Sequence, residues 1–370
     1  MLATMTPEEL VQPVADAVRQ ASAQAEAERR IPDDLMRRLK DAGLFSIYTP
    51  RAFGGRELPL PDALRVVEEV SRHDGSTGWT IALGVANNVF TATIPEASAA
   101  RVLGDGSALL AGAPAFGARA VRVAGGYRIS GRWPFNSGAP NADWIVPAVP
   151  VFDGDAPRMG PAGPEMIVAF LAPSDVQIID TWHVTGLRAS GTQDLYAEDV
   201  FVPDEMTGGF ALPAGPVVVR PCALANIPFF TLFGIVQSPP VCLGLARRAI
   251  EEFAQIALTK ENPLGPRMSE QAQVHAGLAH AEALVRSARC YWYELVAGVW
   301  EVAAAGRGPD LGQRAALRLA SLTAVDHSLQ AADALYRLAG TSSVFQSSAL
   351  ERCWRDVHTA AQHMQVQPGR

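Results

Sequence analysis

Apolar residues recur every three or four positions early in the chain, alternate with polar ones in the middle, and return to the wider spacing over the last third. A period near 3.6 marks a helix packed on one face, and a period of two marks a half-buried strand. The pattern therefore predicts three zones. In the first, Thr6-Pro7-Glu8-Glu9 reads as a capping box with proline in the first helical turn. A short helix is expected over residues 32–40, with Gly43 where a helix C-cap falls. Leu64, Val67 and Val70 stripe one face of a helix over residues 61–72. Residues 79–93 are almost wholly apolar, which predicts burial on every side.

In the second zone, AVRVAGGYRISGRW reads as two alternating strands joined at Gly125-Gly126. DWIVPAVPVF, EMIVAFLAP and LYAEDVFVP are further strands, and DGDAPRMGPAGP between them is a loop by composition. The third zone holds AIEEFAQIALTK, then the long run from SEQAQ to EVAAA, then DLGQRAALRLASLTAVDHSLQAADALYRLAG, and finally the short helix ERCWRDVHTAAQHM (351–364). Long helices on short connections form a four-helix bundle. The expected fold is α+β and mostly helical. It has an N-terminal helical domain (1–106), a central antiparallel β-barrel or sandwich (107–210) and a C-terminal four-helix bundle (223–370).

Composition narrows the function classes. Of 370 residues, 48% are hydrophobic and 19% charged, which fits a chain with a large buried fraction. The net charge of −7 and the lack of a basic block argue against nucleic acid. No uninterrupted apolar run reaches the length of a membrane span, and the N-terminus MLATMTPEEL has no secretory pattern, so a cytoplasmic location is expected. The four cysteines, Cys222, Cys242, Cys290 and Cys353, form no C-x-x-C pair and read as reduced buried thiols. His275 and His280 are five apart, as are His358 and His363. That spacing turns two rings to different helix faces, so no metal site is expected.

Four stretches carry a resemblance: SRHDGSTGW (71–79), GGYRISGRWPFNSGAPNADW (125–144), GLRASGTQDLYAEDVFVP (186–203) and LERCWRDVHTAAQH (350–363). Together with the order helices, β domain, bundle, they resemble the acyl-CoA dehydrogenase superfamily, and within it the flavin-dependent monooxygenases. These are the oxygenase components of two-component systems. The resemblance implies that reduced FMN, or FAD, arrives from a separate reductase. It further implies reaction with O2 through a C4a-hydroperoxyflavin and hydroxylation or N/S-oxidation of an aromatic or polycyclic small molecule. A homotetramer is implied as well. No G-x-G-x-x-G dinucleotide fingerprint is present.

The resemblance also assigns residues. The flavin is expected along Trp133, Phe135, Asn136 and Ser137, with Ser137 the hydroxyl near the ring's N5 and Ser190 and Thr192 further polar contacts. Lys260 or Arg267 is expected at a flavin phosphate, often in a neighbouring subunit. Trp79 and Leu83 are expected to line the substrate side. In many acyl-CoA dehydrogenases a catalytic glutamate follows the R-D pair in a Y-E-G-T string. The matching position here is Met364, which cannot accept a proton. The T-E-P-x-x-G-S-D string is replaced by AGAPAFGARAV. The monooxygenase branch instead carries a histidine one residue earlier, here His363. It is expected to hydrogen-bond the peroxide or to take a substrate proton with a pKa near working pH. His358 is expected to be structural, satisfied by a backbone carbonyl, and Arg355 and Asp356 to form separate ion pairs. Tyr291, Trp292, Tyr293 and Trp300 read as core or an oligomer interface. Two other readings stand beside this one: an FAD-bound desaturase or oxidase with a relocated base, and a catalytically silent scaffold.

Overall fold

The computed structural model describes residues 5–115, 117–160, 163–211, 214–261 and 265–367. Helix α1 (Pro7–Glu28) begins with the expected capping box: the Thr6 hydroxyl accepts from Glu9 N, and the Glu9 side chain accepts from Thr6 N. Helix α2 spans Asp33–Asp41, and Gly43 closes it in the left-handed region at φ 75°. Helix α3 (Leu60–His73) runs directly into α4 (Gly75–Ala86), a 3-10 segment (Asn87–Thr93) and α5 (Glu96–Leu103). Across α4 and the 3-10 segment every residue but Leu83 is buried.

The main sheet of the middle zone is one open path, antiparallel except where the Arg119–Val123 strand pairs in parallel with Ala148–Asp153; Leu110–Ala111 and Trp144–Ile145 form a separate parallel pair. The first hairpin joins Arg119–Val123 to Gly126–Asn136, with Val123 opposite Gly126. Its turn is Ala124-Gly125, one residue earlier than expected, because Gly125 takes the positive φ of 76°. The expected DWIVPAVPVF strand is split at Val146-Pro147 into Trp144–Ile145 and Ala148–Asp153. The expected loop 153–164 instead carries short pairings, Phe152 with Pro157 and Met159 with Pro164; residues 161 and 162 lie outside the described set. The long strand Gln193–Pro203 pairs along Gly126–Asn136 and brings the two flavin-like stretches side by side.

After α6 (Phe229–Val236) come α7 (Ser238–Thr259), α8 (Ala272–Ala304), α9 (Leu311–Ala339) and α10 (Ala349–Ala360). Residues 229–259 are apolar and long enough to cross a membrane, contrary to the expectation for the chain, yet 83% of that apolar window is buried inside the fold. Helix α7 is the central post, with α3 on one side and α9 and α10 on the other. Gly244 allows the close approach to α3: a Cβ there would lie 2.3 Å from the Glu68 carbonyl oxygen. Of the bundle aromatics, Trp292 and Tyr293 are core. The Trp292 indole donates to Ser321 Oγ at 3.1 Å and the Tyr293 hydroxyl to Glu68 at 2.7 Å, while Tyr291 is exposed. Cys242 and Cys353 are buried as expected, but Cys222 is half-buried and Cys290 exposed.

Candidate active site

The three zones meet around a cavity of about 950 Å³. Its floor is α4 and the 3-10 segment after it, through Trp79, Leu83, Asn87 and Phe90. One wall is the end of the Gly126–Asn136 strand and the loop 182–187; the other is α6 and the end of α10. Among the described residues the lining holds no Asp, Glu, Lys or Arg.

The SRHDGSTGW stretch is the reason Trp79 sits there. Asp74 caps α4, accepting from Thr77 N and Thr77 Oγ1, both at 2.7 Å. Gly78 lets α4 press on α3, since a Cβ there would lie 1.9 Å from Ser71 Oγ. The Trp79 indole then donates to Ser137 Oγ at 3.0 Å. Ser137 Oγ lies 2.9 Å from Thr192 Oγ1, which lies 2.7 Å from Ser190 Oγ. An indole N–H can only donate, so Ser137 must accept from Trp79. When Ser190 donates to Thr192 and Thr192 to Ser137, both Ser137 lone pairs are used and its own proton is free for a ligand. Ser137 and Thr192 line the cavity, while Ser190 stands behind them, fully buried.

The other residues expected at the flavin divide clearly. Phe135 lines the cavity, 68% exposed, with φ at 62° and its ring 6.4 Å from that of Trp182. Trp133 and Asn136 are buried beneath the strand and do not line the cavity. The Asn136 amide donates to the Trp133 carbonyl at 2.6 Å and so shapes the strand end rather than touching the space. Lys260 and Arg267 lie at the far end of the bundle. Lys260 Nζ donates to the Ala339 carbonyl at 2.9 Å, and Arg267 is exposed. A 22-residue helix is roughly 33 Å long, so neither reaches this chain's own cavity from the end of α7.

His363 faces the cavity just past α10, its ring 5.9 Å from that of Trp79. Its Nδ1 accepts from Gln365 N at 3.3 Å, which leaves the proton of the neutral ring on Nε2. Burial pushes its pKa down to about 4. The expectation of a pKa near working pH is therefore corrected: the ring is neutral there and carries its proton on Nε2. His358 also lines the cavity, but its Nε2 lies 3.0 Å from the Asp333 carboxylate, not a backbone carbonyl, and its ring tilts against Trp354.

Arg355 and Asp356 do point apart, with different outcomes. Arg355 pairs with Glu26 and Glu351. Asp356 makes no ion pair among the described residues: its Oδ1 accepts from Leu187 N at 2.6 Å and so holds the end of the cavity loop. Burial, and after it the charge of the buried Asp74, push its pKa up to about 7. An acid held above its unfolded value binds its proton more tightly in the fold. Its contribution to stability is complete below the ordinary value of 3.8 and is lost as pH rises through about 7. Asp356→Asn keeps an oxygen for Leu187 N and does not ionise. Between about pH 5 and pH 7, urea denaturation should show the native chain losing up to about 1.4 kcal/mol per pH unit relative to this variant. Parallel pH slopes in the two proteins would refute the assignment.

Sequence reasoning missed the second wall. Phe229, Phe230, Phe233 and Gln237 all line the cavity. The available signal was F-F-x-x-F ahead of Q-S-P-P: aromatics four apart share a helix face, and the paired prolines mark a break before the bundle.

Known proteins place this geometry. Residues 236–368 match the family model for acyl-CoA dehydrogenase, C-terminal domain, and residues 4–100 that for acyl-CoA dehydrogenase, N-terminal domain. Indole-3-acetate monooxygenase of Pseudomonas putida is 30% identical over 94% of this chain and 87% of its own length. The chain belongs to the flavin-dependent monooxygenase branch of the acyl-CoA dehydrogenase superfamily. A second relative of this oxygenase family, the FADH(2)-dependent resorcinol hydroxylase, oxygenase component, of Rhizobium sp. (strain MTP-10005), is 31% identical over 95% of this chain and 88% of its own. The fold is shared with XiaF from Streptomyces sp., solved with FADH2 and glycerol, at a TM-score of 0.87 and 24% identity, covering 98% of this chain and 91% of that one. This chain is accordingly an oxidoreductase that works with a flavin.

Proposed function

We propose that this protein is the oxygenase component of a two-component system. It takes reduced FMN or FAD from a separate reductase and inserts one oxygen atom of O2 into an aromatic or polycyclic molecule. What supports this reading is the pairing, across one apolar cavity, of the Ser137 and Thr192 hydroxyls with the neutral His363 Nε2–H, with no carboxylate among the described lining residues. A desaturase needs a base over the substrate carbon, and Met364 lines the cavity where that base would be.

The residues present fit a flavin: an apolar slot beside Phe135 and Trp182, edged by hydroxyls that can donate and accept. When bound, a reduced flavin supplies the activation of dioxygen and the transfer of one oxygen atom. Ser137 and Thr192 would hold its polar edge, and His363 would offer its Nε2 proton there. Leu83, Phe90, Phe229 and Phe233 keep water out, which suppresses loss of the oxidant as hydrogen peroxide. Work as a homotetramer in the cytoplasm, with Lys260 or Arg267 reaching a neighbour's flavin phosphate, is part of the same reading. The exposed Leu311, Leu319 and Phe345 support an assembly.

Anaerobic titration tests the core of this proposal. The protein should purify nearly colourless and bind reduced FMN or FAD at least about tenfold, or 1.4 kcal/mol, more tightly than the oxidised form. Failure to bind reduced flavin points to a silent scaffold, and tightly held yellow FAD points to a desaturase.

A further inference from the structure

Three histidines line the cavity, and they differ in what their nitrogens have left to offer. The Nδ1 lone pair of His363 is engaged by Gln365 N and its Nε2 carries the proton, so neither nitrogen is open to a proton from a ligand. His183 has both ring nitrogens 3.4 Å from Arg29 Nη1, so that guanidinium already engages it.

His358 is arranged the other way round. Asp333 stands behind it on α9, its Oδ1 2.7 Å from the Trp354 indole nitrogen and 3.0 Å from His358 Nε2. A carboxylate only accepts, so the His358 ring carries its proton on Nε2 and keeps the lone pair on Nδ1. The Trp354 bond holds the carboxylate, and the Trp354 ring, 4.6 Å from the imidazole, holds the imidazole. No described residue donates to Nδ1, and that atom is not buried; the side chain is 37% exposed and lines the cavity. A carboxylate behind an imidazole fixes its tautomer and stabilises the imidazolium that forms when the far nitrogen takes a proton.

The acceptor also decides what it takes. A phenolic O–H ionises, whereas an indole N–H only donates. Phe229, Phe230 and Phe233, on the same wall of the cavity, supply apolar surface for the ring.

We infer that His358, backed by Asp333, is the base of this cavity and that its substrate is a phenol. The phenolic O–H bond breaks, the proton passes to His358 Nδ1, and the electron pair stays on the ring oxygen. The imidazolium remains against the Asp333 carboxylate, and the phenolate ring is the electron-rich partner for oxygen transfer. This rests on the proposed oxygenase function, names a substrate class for it, and moves the proton-accepting role from His363 to His358.

Matched ligands test it without turnover: 2-naphthol with 2-methoxynaphthalene, and phenol with anisole, bound anaerobically and followed by calorimetry with and without saturating reduced FMN. Methylation removes the proton and leaves the ring. At least one phenol should bind, and each that does should bind about tenfold or more tighter than its ether. Bound 2-naphthol, read at neutral pH without flavin, should also show the red-shifted absorption of its ionised form. His358→Phe keeps a flat ring against Trp354. It should bring each pair to near equality with the ether bound as in the native protein, which also shows that the variant is folded. His358→Gln can accept a hydrogen bond but cannot take a proton, so it should keep part of the preference and lose the red shift. A native protein that treats the pairs alike, 2-naphthol bound without the red shift, a red shift that persists in His358→Gln, continued discrimination by His358→Phe, or no binding by any compound each overturns the inference. The reduced-FMN titration is read separately, so loss of flavin binding with intact discrimination would count against the oxygenase reading alone.

Discussion

Replacing His363 by alanine is expected to lower oxygenated product formation by about 10²–10³ while reduced flavin still binds. The magnitude is that of removing one preorganised donor from a water-poor site. The donor is preorganised here because Gln365 N occupies Nδ1 and so keeps the proton on Nε2, and because Trp79 packs edge-on against the ring. Burial depresses its pKa to about 4, so the neutral donor persists from alkaline pH down to near that value. The pH profile of kcat/KM should therefore show no inflection at the ordinary histidine value of 6.5. Product yield and hydrogen peroxide per flavin oxidised measure the effect. If both are unchanged in His363→Ala, the assigned role is wrong.

Ser137→Ala should give the second large effect, of a different kind. The substitution removes the acceptor of the Trp79 indole and the partner of Thr192 at once. Orphaning these groups is expected to destabilise the fold by about 1–3 kcal/mol. It is also expected to divert most oxidised flavin to hydrogen peroxide, because the Ser137 hydroxyl is lost from the cavity beside the strand and Thr192 loses the partner that orients it. Ser190→Ala is the informative companion. It cuts the same chain one step further back, leaves Ser137 in the cavity, and should uncouple much less. Equal uncoupling by the two variants would mean that the loss comes from disturbance of the loop and not from the Ser137 proton.

The readable parts of this molecule were those in which a local rule and the packing agree. The α1 cap, the Gly43 stop and the long bundle helices follow from caps and periodicity alone. The placement of Ser137 and His363 at one cavity was legible because each lies in a recognisable string. Neither Gln237 nor α6 was, because FFTLFGIV has no polar face to set its direction, and the unpaired oxygen of Gln237 exists only once Phe233 has claimed the nitrogen. Asp356 looked like half of an ion pair. Its actual partner, Leu187 N, is 169 residues away in the chain, a contact that no spacing encodes. The histidine pKa was misjudged for the same reason: burial is a property of the assembled cavity, not of the string that carries the ring.

Phe135 carries one further consequence. A bulky side chain in the left-handed region costs about 1–2 kcal/mol, and this one is held there at the rim, largely in solvent. Any breeding of this protein for heat tolerance will therefore find glycine at position 135 an easy gain, and will discard with it the ring that faces Trp182. Hardening the scaffold and preserving its doorway pull against each other at a single residue.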